Sequence, residues 1–273
     1  VSEHAQTYID EIAQEYEEVR RRHANRKATP LISLADARAA RPQIDWANYT
    51  PPRPKFIGRR SFKSYDLSEI AKYLDWTPFF QTWSLFGQFP AILEDKVVGE
   101  QAKKVYADGQ AMLKRIIDGR WLTANGAVAF YPANTVNDDD IEIYTDESRS
   151  KVLFTYRNLR QQGAKREGVS NKCLADFIAP KSSGVADYIG MFAVTAGLGI
   201  EKKEAEFQAA LDDYSSIMLK AMADRLAEGF AECLHARVRQ DLWGYASDEG
   251  LSNDDMIAEK YVGIRPAPGY PAC

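Results

Sequence analysis

Apolar residues recur at three- and four-residue steps at the start of the chain, at Ile9, Ile12, Tyr16 and Val19, and predict an amphipathic helix over residues 5 to 26. The period is lost across "KATPLISLADARAARPQIDWANYTPPRPKFIG", which is rich in proline yet carries Trp46, Tyr49 and Phe56. Those side chains are too apolar for a free linker, so the segment reads as an extended connector packed along something else. Helical spacing returns at Asp66, with Glu69 as a capping-box partner and Ile70, Tyr73 and Leu74 on one face. That helix stops at "YLDWTPFF". Thr77 and Pro78 then restart the chain as N-cap and first-turn proline of another, which Gly87 ends. "EQAKKVYADGQAMLKRIIDG" predicts a longer helix with Ala102, Val105, Tyr106, Met112, Leu113, Ile116 and Ile117 inward and Gly119 past its end.

The middle of the chain changes period. "AVAFYPA", "DIEIYTD" and "KVLFTY" are short alternating or apolar runs separated by turn residues, and predict antiparallel strands. "DYIGMFAVTAG" is apolar on both faces and predicts a central strand covered on both sides. From Lys203 to Leu242 the spacing is helical again, with a break expected near "LDDYSS", and "SNDDMIAEKY" adds a short capped helix. Strands set between blocks of helices predict an α+β fold. The expected layout is a helix and connector over 1–56 and one compact domain over 57–273.

Composition narrows the function. A net charge of −4 lacks the basic excess of a nucleic-acid groove. No apolar run of membrane-spanning length appears, and the charged start lacks the apolar stretch of a signal peptide, so the expectation is a cytoplasmic protein with no membrane association. Cys173, Cys233 and Cys273 have no metal spacing, and His4, His23 and His235 form no cluster with them. Chemistry here is expected to depend on positioning and charge, without proton shuttling.

Five stretches are candidate sites. In "VTAGLGIEK" the third glycine of a phosphate fingerprint is missing, so a plain turn is the better reading. Asp138, Asp139 and Asp140 sit where a solvated hairpin turn is expected. Asp224, Glu228 and Glu232 lie one turn apart on a helix, as an exposed acidic stripe or with Glu228, beside Gly229, facing a cleft that holds a cation. Asp75 either begins the turn into the next helix or receives a cationic group against Trp76. In "GIRPAPGY", Arg265 offers a fork for a carboxylate and Tyr270 a flat apolar face around a proline-stiffened turn.

"YLDWTPFF", "LRQQ", "CLADFIAP", "DYIGMFAVTAG", "MADRLAEGFAECLH" and "GIRPAPGYPAC", taken in order, resemble the C-terminal activation domain of cobalamin-dependent methionine synthase. The resemblance runs from about Tyr65 to Cys273. It implies a helmet-shaped α+β domain with a twisted antiparallel sheet that binds S-adenosylmethionine and docks over cobalamin held by a neighbouring domain. The implied activity is reductive methylation of oxidised cob(II)alamin, with flavodoxin or a flavoprotein reductase supplying the electron. The domain would not make methionine alone. Carried over residue by residue, Arg265 would hold the methionine carboxylate and Asp75 its amino group. The backbone of Ala267, Gly269 and Tyr270 would line the ligand, with Glu228 and Glu259 nearby. The family continues past "GYPAC" with further strands and a tyrosine pair that touches the ligand, so this chain reads as a C-terminally truncated form.

A sulfonium methyl donor leaves as a neutral thioether, so no acid or base is required, which agrees with the shortage of histidine. Two rival readings stand beside this one. One is a cap that docks the cobalamin domain or the electron donor without binding a small molecule. The other is an independent methyltransferase on a parallel nucleotide-binding core.

Overall fold

The computed structural model describes residues 5–24 and 29–267. Its elements run α1 (Ala5–Ala24), α2 (Leu34–Ala39), β1 (Gly58–Tyr65), α3 (Leu67–Ile70), α4 (Thr77–Thr82), α5 (Gly99–Asp118), β2 (Thr123–Val136), β3 (Asp140–Tyr144), β4 (Val152–Arg157), β5 (Asp187–Leu198), α6 (Ile200–Ala209), α7 (Asp213–Arg237) and α8 (Asn253–Ile257). All strand pairs are antiparallel, and the fold is α+β.

The 14-residue β2 is the axis of the sheet. Gly126 to Phe130 pair with β1 on one side and with β5 on the other. Ala133 pairs with both Ile143 of β3 and Asp187 of β5, so β1 and β3 follow one another along the same edge of β2, with β4 outside β3. The expectation that residues 187–197 form a central strand is therefore corrected: β5 has β2 as its one strand neighbour among the described residues. Its apolar run has another cause. Phe192, Val194 and Ala196 turn to the main core, whereas Ile189 joins a second cluster with Ala133 and Ile141. β1, "GRRSFKSY", gave no alternating signal because it is a mostly exposed polar edge strand.

Helices cover one face. Ile70, Phe79, Phe80, Ile116, Phe130, Leu226 and Phe230 are fully buried in a single cluster. Thr77, expected as an N-cap, is instead the first residue of α4: its amide is taken by Asp75 and its hydroxyl accepts from the Phe89 amide, so it does not cap that helix. The other caps follow local chemistry. Asp66 accepts from the Ser68 amide, Asp212 from Ser215 after the break at Leu211, and Ser252 forms a capping box with Asp255. Glu69 does not close the box with Asp66; it accepts from the Tyr65 hydroxyl instead. α4 ends at Thr82, earlier than Gly87, because Ser84 turns into the left-handed region at φ 57°. α7 runs on through a π-turn at Val238–Leu242.

The turn at Asp138 to Asp140 is a hairpin but not a solvated one. Asp139 is buried, accepting from Arg160 and from Arg38 at 2.7 Å each, while Asp138 takes Arg41 and Asp140 takes Arg157. Arg160 also reaches Asp176 through two bonds and the Asn171 carbonyl. This network fastens residues 38–41 to the β2–β3 turn. Trp243 donating to the Pro52 carbonyl and Phe56 packing on Phe130 fasten the rest of the connecting segment. α1, in contrast, buries no residue.

Candidate functional site

A glycine brings the site together. A Cβ at Gly229 of α7 would lie 3.0 Å from Leu74 Cδ2 and 3.3 Å from the Ile70 carbonyl oxygen, so a larger residue would push the helix away from residues 70–75. At this close approach, Asp75 stands over the face of α7 that carries Glu228 and Glu232. A cleft of about 320 Å³ lies between them, lined by Tyr73, Asp75, Pro78, Arg225, Glu228, Gly229, Glu232 and Ile257.

Asp75 takes the first of the two places expected for it, at the turn into the next helix. Its Oδ1 accepts from the Thr77 amide at 2.8 Å and so turns the chain into α4, and the same carboxylate lines the cleft. Trp76 is not beside it there. It turns into the core, making edge contacts with Phe79 and Tyr106 at 5.2 and 4.8 Å between ring centroids. The acidic stripe divides. Asp224 pairs outward with its neighbour Arg225, whereas Glu228 and Glu232, one and two turns on, face the cleft.

Arg265 reaches the cleft through Glu232, to which it donates from Nη2. Burial lowers the tendency of this guanidinium to hold its proton, but the bond and field of Glu232, with Tyr261 and Glu228, outweigh that and leave its pKa raised. Two atoms of the pair have no hydrogen-bond partner among the described residues and are shielded from solvent: Arg265 Nη1 and Glu232 Oε2. A ligand carboxylate suits the first and a cationic donor the second. Glu232 was legible only as one member of a stripe; its pairing with a residue 33 positions away had no local signal.

Glu259 stands apart from the cleft lining, exposed on a left-handed turn after α8 with φ 54°. Ala267 is exposed, and Gly269 and Tyr270 lie outside the described residues. Among the described residues, no group of three or more His, Cys, Asp or Glu is placed to hold a metal ion, and no helix is long and apolar enough to cross a membrane.

Behind Arg265 lies a buried cluster that the sequence did not reveal. Arg239, fully buried, bonds Glu249 and donates from Nη1 to His235 Nδ1 at 2.8 Å, so the imidazole carries its proton on Nε2. Tyr261 meets His235 edge-on and lies over the Arg239 guanidinium, which anchors the chain four residues before Arg265. Burial first, then the charges of Arg239 and Arg265, press His235 down to about 3 from 6.5. The unfolded chain therefore takes up a proton that the folded chain refuses, and this contribution to stability is complete above pH 6.5 and lost as pH falls. Between about pH 7 and pH 5 the loss is about 2 kcal/mol. Melting temperatures across that range should show it. His235→Asn, which keeps an acceptor for Arg239 without a titrating ring, should flatten the profile.

The family model described as "Vitamin B12 dependent methionine synthase, activation domain" matches residues 66–273. Among solved structures, the crystal structure of the MetH reactivation domain bound to AdoHcy is 51% identical to this chain, with a TM-score of 0.85. The match covers 90% of this chain and 74% of that one.

Proposed function

Since the chain belongs to the activation-domain family of vitamin B12-dependent methionine synthase, we propose that its α7 cleft binds S-adenosylmethionine and presents the donor methyl group for reductive methylation of cobalamin. The observation that carries this reading is the meeting of Asp75 with the Glu232–Arg265 pair at one cleft, although 190 residues separate Asp75 from Arg265. The AdoHcy held by the related domain is the demethylated form of the same molecule, which supports the choice of ligand.

In this reading Arg265 binds the methionine carboxylate and Asp75 the amino group, with Ala267, Gly269 and Tyr270 supplying backbone along the ligand and Glu228 and Glu259 adding negative potential. Charge favours the donor over its product. Asp75, Glu228 and Glu232 outnumber Arg265, and Arg225 is matched by Asp224, so the cleft is net negative. S-adenosylmethionine carries one more positive charge than the thioether it becomes, and the residues around it therefore hold the reactant more tightly than the product. No side chain has to move a proton. The task of these residues is to fix one end of the donor so that its methyl carbon points outward.

Cobalamin, carried by a neighbouring domain, supplies the metal nucleophile that accepts the methyl group. The proposed partners are that domain and an electron donor, flavodoxin or a flavoprotein reductase. Residues 1–56 are the proposed lead-in and 57–273 the activation domain.

The test is transfer of radiolabelled methyl from S-adenosylmethionine to cobalamin, with the chain joined to its cobalamin-binding domain and a reducing flavoprotein present. Label on cobalamin that depends on both the donor and this chain supports the proposal. Tight docking with no transfer and no donor binding would favour a cap without a small-molecule ligand.

A further inference from the structure

Glu232 and Arg265 touch through one contact only, Arg265 Nη2 on Glu232 Oε1. A guanidinium and a carboxylate set fork to fork would satisfy both pairs of atoms. Here the pair is offset, and among the described residues each partner keeps one buried atom unused: Nη1 on Arg265 and Oε2 on Glu232. Solvent does not reach either atom and neither has a partner among the described residues, so a ligand entering beside them would give both desolvated groups the partner they lack. One is a donor on a cation and the other an acceptor on an anion. The complement of that couple is an acceptor anion and a donor cation held close together.

An α-amino-acid head has that chemistry, because its carboxylate and ammonium share one carbon. We propose that Glu232 is a further binding and positioning residue of the donor site: it holds Arg265 through Oε1 and takes the α-ammonium on Oε2, while Arg265 Nη1 takes the carboxylate of the same head. The inference rests on the reading of the cleft given above. It adds a specificity that Asp75 alone does not supply, since the offset pair engages a zwitterion as one unit and gains less from either charge by itself. Glu232 is the less exposed of the two α7 carboxylates at the cleft, and Glu228, a turn away, is exposed. Placing the head against Glu232 directs the remainder of the ligand past Glu228.

The test is calorimetric titration of the full chain with two probes: S-adenosylhomocysteine, which has the amino-acid head, and 5′-methylthioadenosine, which lacks it. Wild type should prefer S-adenosylhomocysteine. Glu232→Gln keeps an acceptor for Arg265 but removes the charge that the ammonium meets, and should weaken S-adenosylhomocysteine roughly ten- to hundred-fold while leaving 5′-methylthioadenosine unchanged. Equal affinity of Glu232→Gln and wild type for S-adenosylhomocysteine, tighter binding by the variant, or equal weakening of both probes would overturn the proposal. The last of these is what a purely structural ion pair would produce. Should the Gln variant not fold, Glu232→Asp, which withdraws the charge by one methylene, is judged by the same ratio. Arg265→Ala run in parallel separates the two levels of the argument. If it abolishes the preference and Glu232→Gln does not, only the role of Glu232 fails. If wild type shows no preference, the reading of the cleft fails with it.

Discussion

Replacing Arg160 with alanine should destabilise the domain by about 3–5 kcal/mol, the range for breaking a buried ion pair from one side. The Arg160 side chain is fully buried between Asp139 and Asp176, which are 10% and 2% exposed. Its bonds to these carboxylates raise its pKa in spite of burial, so it is a permanent cation in the fold. Alanine would leave Asp176 with only the Cys173 amide in place of its guanidinium, and Asp139 with Arg38 alone. The Asn171 carbonyl, which closes the segment whose amide bonds Ala40, would lose its donor as well. Urea unfolding monitored by circular dichroism measures the change. Lysine should recover little of it, because a single ammonium cannot span two carboxylates and a carbonyl as the planar fork does. A loss below about 1 kcal/mol would mean that the network is dispensable.

Local chemistry made part of this fold readable in advance. Asp66 and the start of "SNDDMIAEKY" were readable as helix caps because a short oxygen-bearing side chain satisfies free amides wherever a helix begins, and that needs no tertiary partner. The break at Leu211 and the period of α5 were visible for the same reason. Features fixed by distant contacts were not. β1 shows no alternation because most of its side chains face solvent, and β5 reads as central because its two faces pack against different clusters. Arg160 sits in "LRQQ" with nothing nearby in sequence to mark it as the centre of a buried network whose partners lie 16 and 21 residues away. Asp139 is hidden in a run of three aspartates that looks like any solvated turn.

At the cleft the division is similar. Helical spacing put Glu228 and Glu232 on one face, and Gly229 beside them was a visible irregularity, since it permits the approach of Leu74. Nothing in the spacing connects Asp75 to Arg265. That link came from a resemblance running from about Tyr65 to Cys273, and the fold places the two around one carboxylate-lined cleft by way of Glu232. The sequence suggested an Arg265 with its fork open to a ligand. The structure gives it a resident carboxylate and, among the described residues, leaves Nη1 without a partner.

Removing that guanidinium should have the largest effect on binding. Arg265→Ala takes away the only cation bonded to the Glu232 wall of the cleft among the described residues and leaves Asp75, Glu228 and Glu232 with no opposing charge from this segment. A ligand carboxylate would then enter a field of like charge with no donor to meet it. Loss of a charge-assisted hydrogen bond and the added repulsion together predict a fall in affinity of about 3 kcal/mol or more, at least roughly a hundred-fold. The fold should survive, because Arg265 is partly exposed and lies outside the core. The most direct measurement is calorimetric titration of S-adenosylmethionine into wild type and Arg265→Ala, with melting curves confirming that both are folded. Saturable binding by wild type that disappears in the variant is the predicted result; superimposable isotherms from two folded proteins that both bind would contradict the assignment of the cleft.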